Sequence, residues 1–140
     1  MVYLSNLRPT TLSSLLFTTN VLHLYNKKDK LYFYSFAGLL TTSILHHQTK
    51  CKYKLLYYID KAFIISVIYF GGKNLLTYAP KNALSLSVPF KFCTTLGLYY
   101  YGYSQNKYCF DKDEKKGNNY HMFLHLLSCV SHNIITYYLP

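Results

Sequence analysis

Long apolar stretches alternate along this chain with a few short charged segments. Asn26-Lys-Lys-Asp-Lys30, Lys50-Cys-Lys-Tyr-Lys54 and Asp111-Lys-Asp-Glu-Lys-Lys116 hold most of the charge. Five apolar stretches lie outside them, at about 11–25, 31–47, 57–77, 83–103 and 119–138, near the roughly 17–25 residues that carry a helix across hydrocarbon. A helix lying against water would show charge on its outer face at every turn, and these stretches do not. The pattern predicts an all-α fold: a polytopic membrane bundle of about five transmembrane helices, in one domain spanning 1–140.

Local signals agree with those limits. Arg8-Pro9 suits a helix entry, and Gly71-Gly72 with Pro80 marks the exit of the third stretch. Pro89 and Lys91 fall inside the fourth, where a kink and a lysine reaching for the interface are expected. Tyrosines crowd the ends, at Tyr57-Tyr58, Tyr99 to Tyr101 and Tyr137-Tyr138, as aromatic belts do. The first stretch has no cleavage-site pattern and carries Asn20 and His23, so it reads as a span rather than a cleavable leader.

The net charge is +10, from 15 basic and 5 acidic residues. The lysines occupy short connections instead of a basic helix or recognition motif, which argues against nucleic-acid binding. With five spans, the amino terminus and the 48–56 and 104–118 connections share one side. That side holds Arg8, Lys50, Lys52, Lys54, Lys107, Lys112, Lys115 and Lys116, against Lys27, Lys28, Lys30, Lys73 and Lys81 opposite. The excess predicts a multi-pass protein whose amino terminus is cytoplasmic. Cys51, Cys93, Cys109 and Cys129 have no metal-site spacing and read as unpaired thiols, although Cys51 and Cys109 fall on one predicted side, which leaves a disulfide between them open.

The chemistry is carried by ionisable groups within the apolar stretches, where such groups are costly and usually functional. His121-Met-Phe-Leu-His125 puts two imidazoles one turn apart on one helix face, as in helical zinc sites. Ser43 and His47 have the same spacing at the end of the second stretch, and Asp60 opens the third. His46 competes with His47 but points about 100° away, and Ser128 with His132 repeats the spacing without a counterpart. Asp60 also reads as a helix-start carboxylate or a partner for Lys61. By parity, His47, Asp60 and His121 all lie at the same side of the bundle. Three neutral imidazoles leave one position of a zinc ion open, and zinc lowers the pKa of a water held there. A carboxylate can move the proton, and a hydroxyl can hydrogen-bond the oxyanion.

The ordered set Ser43-Ile-Leu-His-His47, Asp60 and His121-Met-Phe-Leu-His125 resembles the CREST superfamily of membrane hydrolases, which includes alkaline ceramidases, the progestin and adiponectin receptors and hemolysin III-like proteins. That family usually has seven spans, so the resemblance covers the second, third and last of a shortened five. It implies that His47, His121 and His125 bind zinc, that Asp60 holds or activates the zinc water, and that Ser43 lies beside the site. It further implies an amide bond in a membrane lipid such as a ceramide as substrate. Two other readings stay open from the residues. One is a non-catalytic subunit of a larger, possibly organellar, membrane complex. The other is a proton-relaying carrier, which would need to be a homo-oligomer.

Overall fold

The computed structural model describes residues 8–49 and 52–140. Six α-helices follow one another: α1 (Pro9–Ser14), α2 (Phe17–Tyr25), α3 (Lys30–Gln48), α4 (Lys54–Tyr78), α5 (Ala83–Gln105) and α6 (Glu114–Tyr137), with a 3-10 turn at Tyr108–Phe110 before α6. No strand occurs among the described residues. The five apolar stretches therefore all become helices, the first as the end-to-end pair α1 and α2.

The break in that first stretch has a local cause. The hydroxyls of Ser13 and Ser14 both donate to the carbonyl of Thr10, at 2.9 Å each. Such back-bonding perturbs helices, and at Leu15-Leu16 the backbone stays right-handed but tightens to i→i−3 hydrogen bonds before resuming as α2.

Caps in the charged connections fix the other starts. Asp29 accepts from the backbone N–H of Tyr32 at the head of α3. Asn82 and Ser85 form a reciprocal capping box on α5. Asp113 accepts from the N–H groups of Lys115 and Lys116, so α6 begins at Glu114, before its apolar stretch. Each cap is worth about 1 kcal/mol. The helix α5 continues through Pro89, and Lys91 Nζ donates to Ser87 Oγ one turn back, at 2.6 Å. It closes with Asn106 in the left-handed region at φ 51°, a cap that asparagine tolerates.

α3 packs along α4 and α5 along α6, while α1 and α2 lie against both α3 and α6. Glycines permit the tightest approaches. A Cβ on Gly38 of α3 would stand 2.2 Å from the Phe63 ring of α4, and one on Gly71 of α4 would stand 2.7 Å from the His132 ring of α6. Around that second contact, Tyr32 OH and His132 Nδ1 are hydrogen-bonded at 2.5 Å, and Phe36 packs edge-on to the same imidazole.

Polar groups dominate the interior. Among the described residues sixteen polar or charged side chains are buried, against eleven apolar ones, while twenty-seven large apolar side chains are exposed. Among the described residues one helix, α4, is long and apolar enough to cross a membrane, with a mean hydropathy of 1.4 over its best 18 residues.

Candidate metal centre

Three histidines from two helices meet at one end of the bundle. His47 ends α3; His121 and His125 lie one turn apart in the first half of α6. One ring nitrogen from each falls within 4.8 Å of the other two, the one such group of metal-ligating side chains among the described residues. Nε2 of His121 and Nε2 of His125 are 3.1 Å apart. The His47 ring stands 4.7 Å from that of His121 and 5.3 Å from that of His125, centroid to centroid. With bonds of about 2.0–2.1 Å, a tetrahedral zinc needs nitrogen pairs about 3.3 Å apart. One pair already meets that separation. A donor set of three imidazoles suits zinc chemically, so the residues fit the ion.

Of the adjacent histidines, His47 turns into this cluster and His46 turns towards α4. The His46 ring packs on Tyr57, and its buried Nδ1 has no hydrogen-bond partner. The 100° between neighbours on a helix separates the two roles.

Ser43 is 2% exposed and sits one turn before His47 on the same face. Its Oγ lies 2.9 Å from Ser14 Oγ. The single Ser14 proton goes to the Thr10 carbonyl, which makes Ser43 the donor of this pair. Asp60 is buried too, and Thr42 Oγ1 donates to its Oδ1 at 3.1 Å. Asp60 stands a turn and a half into α4 because that helix starts at Lys54. It is therefore not a helix-start carboxylate. Lys61 does not pair with it: its ammonium lies over the rings of Tyr57 and Tyr99, 5.4 and 4.9 Å from their centroids. The carboxylate faces Thr42 on the α3 side beside His46, outside the group of three ligand nitrogens.

Helix α1 supplies contacts that the sequence motif did not signal. Ser13 Oγ lies 2.8 Å from His125 Nδ1. Thr11 Oγ1 donates to Gln48 Oε1, and Arg8 donates to the carbonyl of His47 and pairs with Glu114 at the start of α6. No spacing rule links residues 13 and 125. The one available signal was a run of small hydroxyl residues, Thr10-Thr-Leu-Ser-Ser14, in an otherwise apolar stretch.

Of the two cysteines on one predicted side, Cys51 lies outside the described residues. Cys109, in the 3-10 turn, is half-buried, and burial pushes its thiol up to about 11, which keeps it protonated and slow as a nucleophile.

Comparison with family models, with curated proteins and with solved structures returned no match.

Proposed function

We propose that this chain is a zinc-dependent integral membrane hydrolase, a shortened relative of the CREST superfamily, cleaving an amide or ester bond of a lipid. The observation that carries the reading is the convergence of His47, His121 and His125 from opposite ends of the sequence onto one point.

The membrane part rests on the distribution of polarity. Only 17% of the apolar window in α4 is buried, whereas an apolar helix in the core of a water-soluble protein is mostly covered. Around it, Leu22, Leu31, Leu55, Ile65, Leu76 and Phe90 are all more than 60% exposed. Serine, threonine, asparagine and histidine face inward instead. Small and polar residues between helices, with large apolar ones outside, are the packing economy of a bundle in lipid. Five passes, with the histidine cluster towards the cytoplasmic side, are the reading that the charged connections support.

Zinc held by the three imidazoles supplies Lewis acidity and acidifies a water at its open position. The protein's own groups do the rest. Asp60, whose Oδ1 accepts from Thr42, stands outside the three ligand nitrogens, and the proposed role needs its other oxygen to reach the attacking water and take its proton. It returns that proton to the leaving nitrogen as the C–N bond breaks and the new C–O bond forms. Ser43 donates to Ser14 at rest and turns its hydroxyl to the oxyanion as charge develops. The products are a fatty acid and an amine, or an alcohol from an ester.

Purified protein in detergent, loaded with zinc and given a panel of lipid amides and esters, tests this directly. Fatty acid release by the wild type, lost in Asp60→Asn while bound zinc is retained, is the expected result. A zinc-loaded protein that turns over none of the panel overturns the hydrolase reading and favours a non-catalytic metalloprotein subunit.

A further inference from the structure

We infer that Ser13 is a positioning residue for the metal centre: it fixes His125 as the Nδ1–H tautomer and so aims the Nε2 lone pair at the point where the three imidazoles meet. This rests on the metal-site reading above but makes a separate statement, about a proton that is present with or without an ion.

The argument is a count of donors. Ser13 Oγ has two close partners, the Thr10 carbonyl at 2.9 Å and His125 Nδ1 at 2.8 Å. A hydroxyl carries one proton, and a carbonyl oxygen can only accept. With the serine proton given to Thr10, the contact with His125 needs the imidazole to donate. A neutral ring with its hydrogen on Nδ1 has a bare lone pair on Nε2. The second contact of that ring is compatible with this tautomer. Nε2 of His125 is 3.1 Å from Nε2 of His121, and two such nitrogens attract only when one donates and the other accepts. With Nε2 of His125 as acceptor, His121 donates in the metal-free protein. Its Nε2 presents a lone pair to an ion once its own hydrogen has moved to Nδ1.

Metal-binding histidines generally hand their second N–H to an oxygen acceptor, which orients the ring and fixes the tautomer. Here the acceptor comes from α1, the helix perturbed by the same hydroxyls. Ser13 is 5% exposed, so water does not readily replace it. Phe17, one turn on, packs its ring 5.2 Å from that of His125 and limits the rotation of the imidazole. The break at Leu15-Leu16 and the seating of His125 thus share one residue, which ties the shape of the first span to the site.

The test uses the full-length protein with 15N-labelled histidine, in detergent, as wild type, Ser13→Ala and Ser13→Thr. Without metal, the His125 ring of the wild type is expected to give the nitrogen shifts of a single Nδ1–H tautomer. Ser13→Ala should give a mixture of tautomers and bind zinc about 10–100-fold more weakly, the usual cost of losing such a partner. Ser13→Thr, which keeps the hydroxyl, should restore both. An alanine variant with the wild-type tautomer and zinc affinity overturns the assignment. So does a wild-type ring protonated on Nε2. If the wild type binds no zinc, the metal-site reading falls, and the tautomer of metal-free His125 still decides the role of Ser13. His125→Ala serves as the control that identifies the resonances.

Discussion

His47 and His121 stand 74 positions apart in the chain, yet their rings meet nearly at right angles, 4.7 Å between centroids and 80° between planes. One ring nitrogen of each lies within 4.8 Å of the other and of a nitrogen of His125. His47 comes from α3, so the site depends on how α3 and α6 are held around α1. Replacing His47 by alanine should lower zinc affinity by more than the roughly 10–100-fold that loss of an outer partner costs, with the helical content unchanged. Metal titration against a chromophoric chelator, alongside circular dichroism, measures both.

Protons and zinc compete for the same imidazole lone pairs, so affinity should fall once pH drops into the range in which these histidines charge. With three ligands, the fall should be steeper than one proton can produce. Chelator competition at a series of pH values gives the slope. An affinity that stays flat down to the pH at which the protein unfolds would mean that the histidines do not hold the ion.

Gly71 and Gly72 are neighbours in α4 with opposite surroundings. A methyl group on Gly71 would collide with the His132 ring and Tyr32 OH, whereas one on Gly72 meets nothing within 4 Å. Gly71→Ala should destabilise by about 1–3 kcal/mol, the usual cost of overpacking. Gly72→Ala should be neutral, or stabilising by up to about 1 kcal/mol through helix propensity. Unfolding midpoints in one detergent compare the two, and equal behaviour would contradict the packing of α4 against α6.

Asp111 and Lys116 pair at 2.8 Å at the start of α6. The Lys116 hydrogen bond holds the Asp111 carboxyl below its usual range, and Asp111 in turn raises the Lys116 ammonium. A lowered carboxylate contributes stability above the ordinary carboxylate range and loses it as pH falls through the folded value. A raised ammonium contributes below the ordinary lysine range and loses it as pH rises through its own. The pair therefore acts across neutral pH, and salt screens it because the Lys116 side chain is exposed. Asp111→Asn should lower the unfolding midpoint slightly at pH 7 and low salt, with the difference vanishing in strong acid or high salt.

How far the chain could be read in advance follows from particular residues. The five stretches were legible because most of the charge is concentrated in the connections, and His47, His121 and His125 were legible because they are ionisable groups in apolar surroundings. Helix starts shifted where a polar side chain outside the apolar run does the capping, as Asp113 does for α6. The break at Leu15-Leu16 was hidden, since it is made by two serine hydroxyls folding back on Thr10 rather than by glycine or proline. His132 has Ser128 at helical spacing, but its hydrogen-bond partner is Tyr32, 100 positions away across the bundle. Ser13 escaped for the same reason. Contacts of that kind belong to packing, and a periodic pattern in one segment holds no record of the segment opposite.

The central claim is that three distant imidazoles share one ion. Elemental analysis of the full-length protein, purified in detergent without added chelator, tests it most directly, with a His121→Ala, His125→Ala double variant alongside. The account predicts one zinc per wild-type chain and none in the double variant. A well-folded wild-type protein that neither carries zinc nor takes it up at micromolar concentration would contradict it.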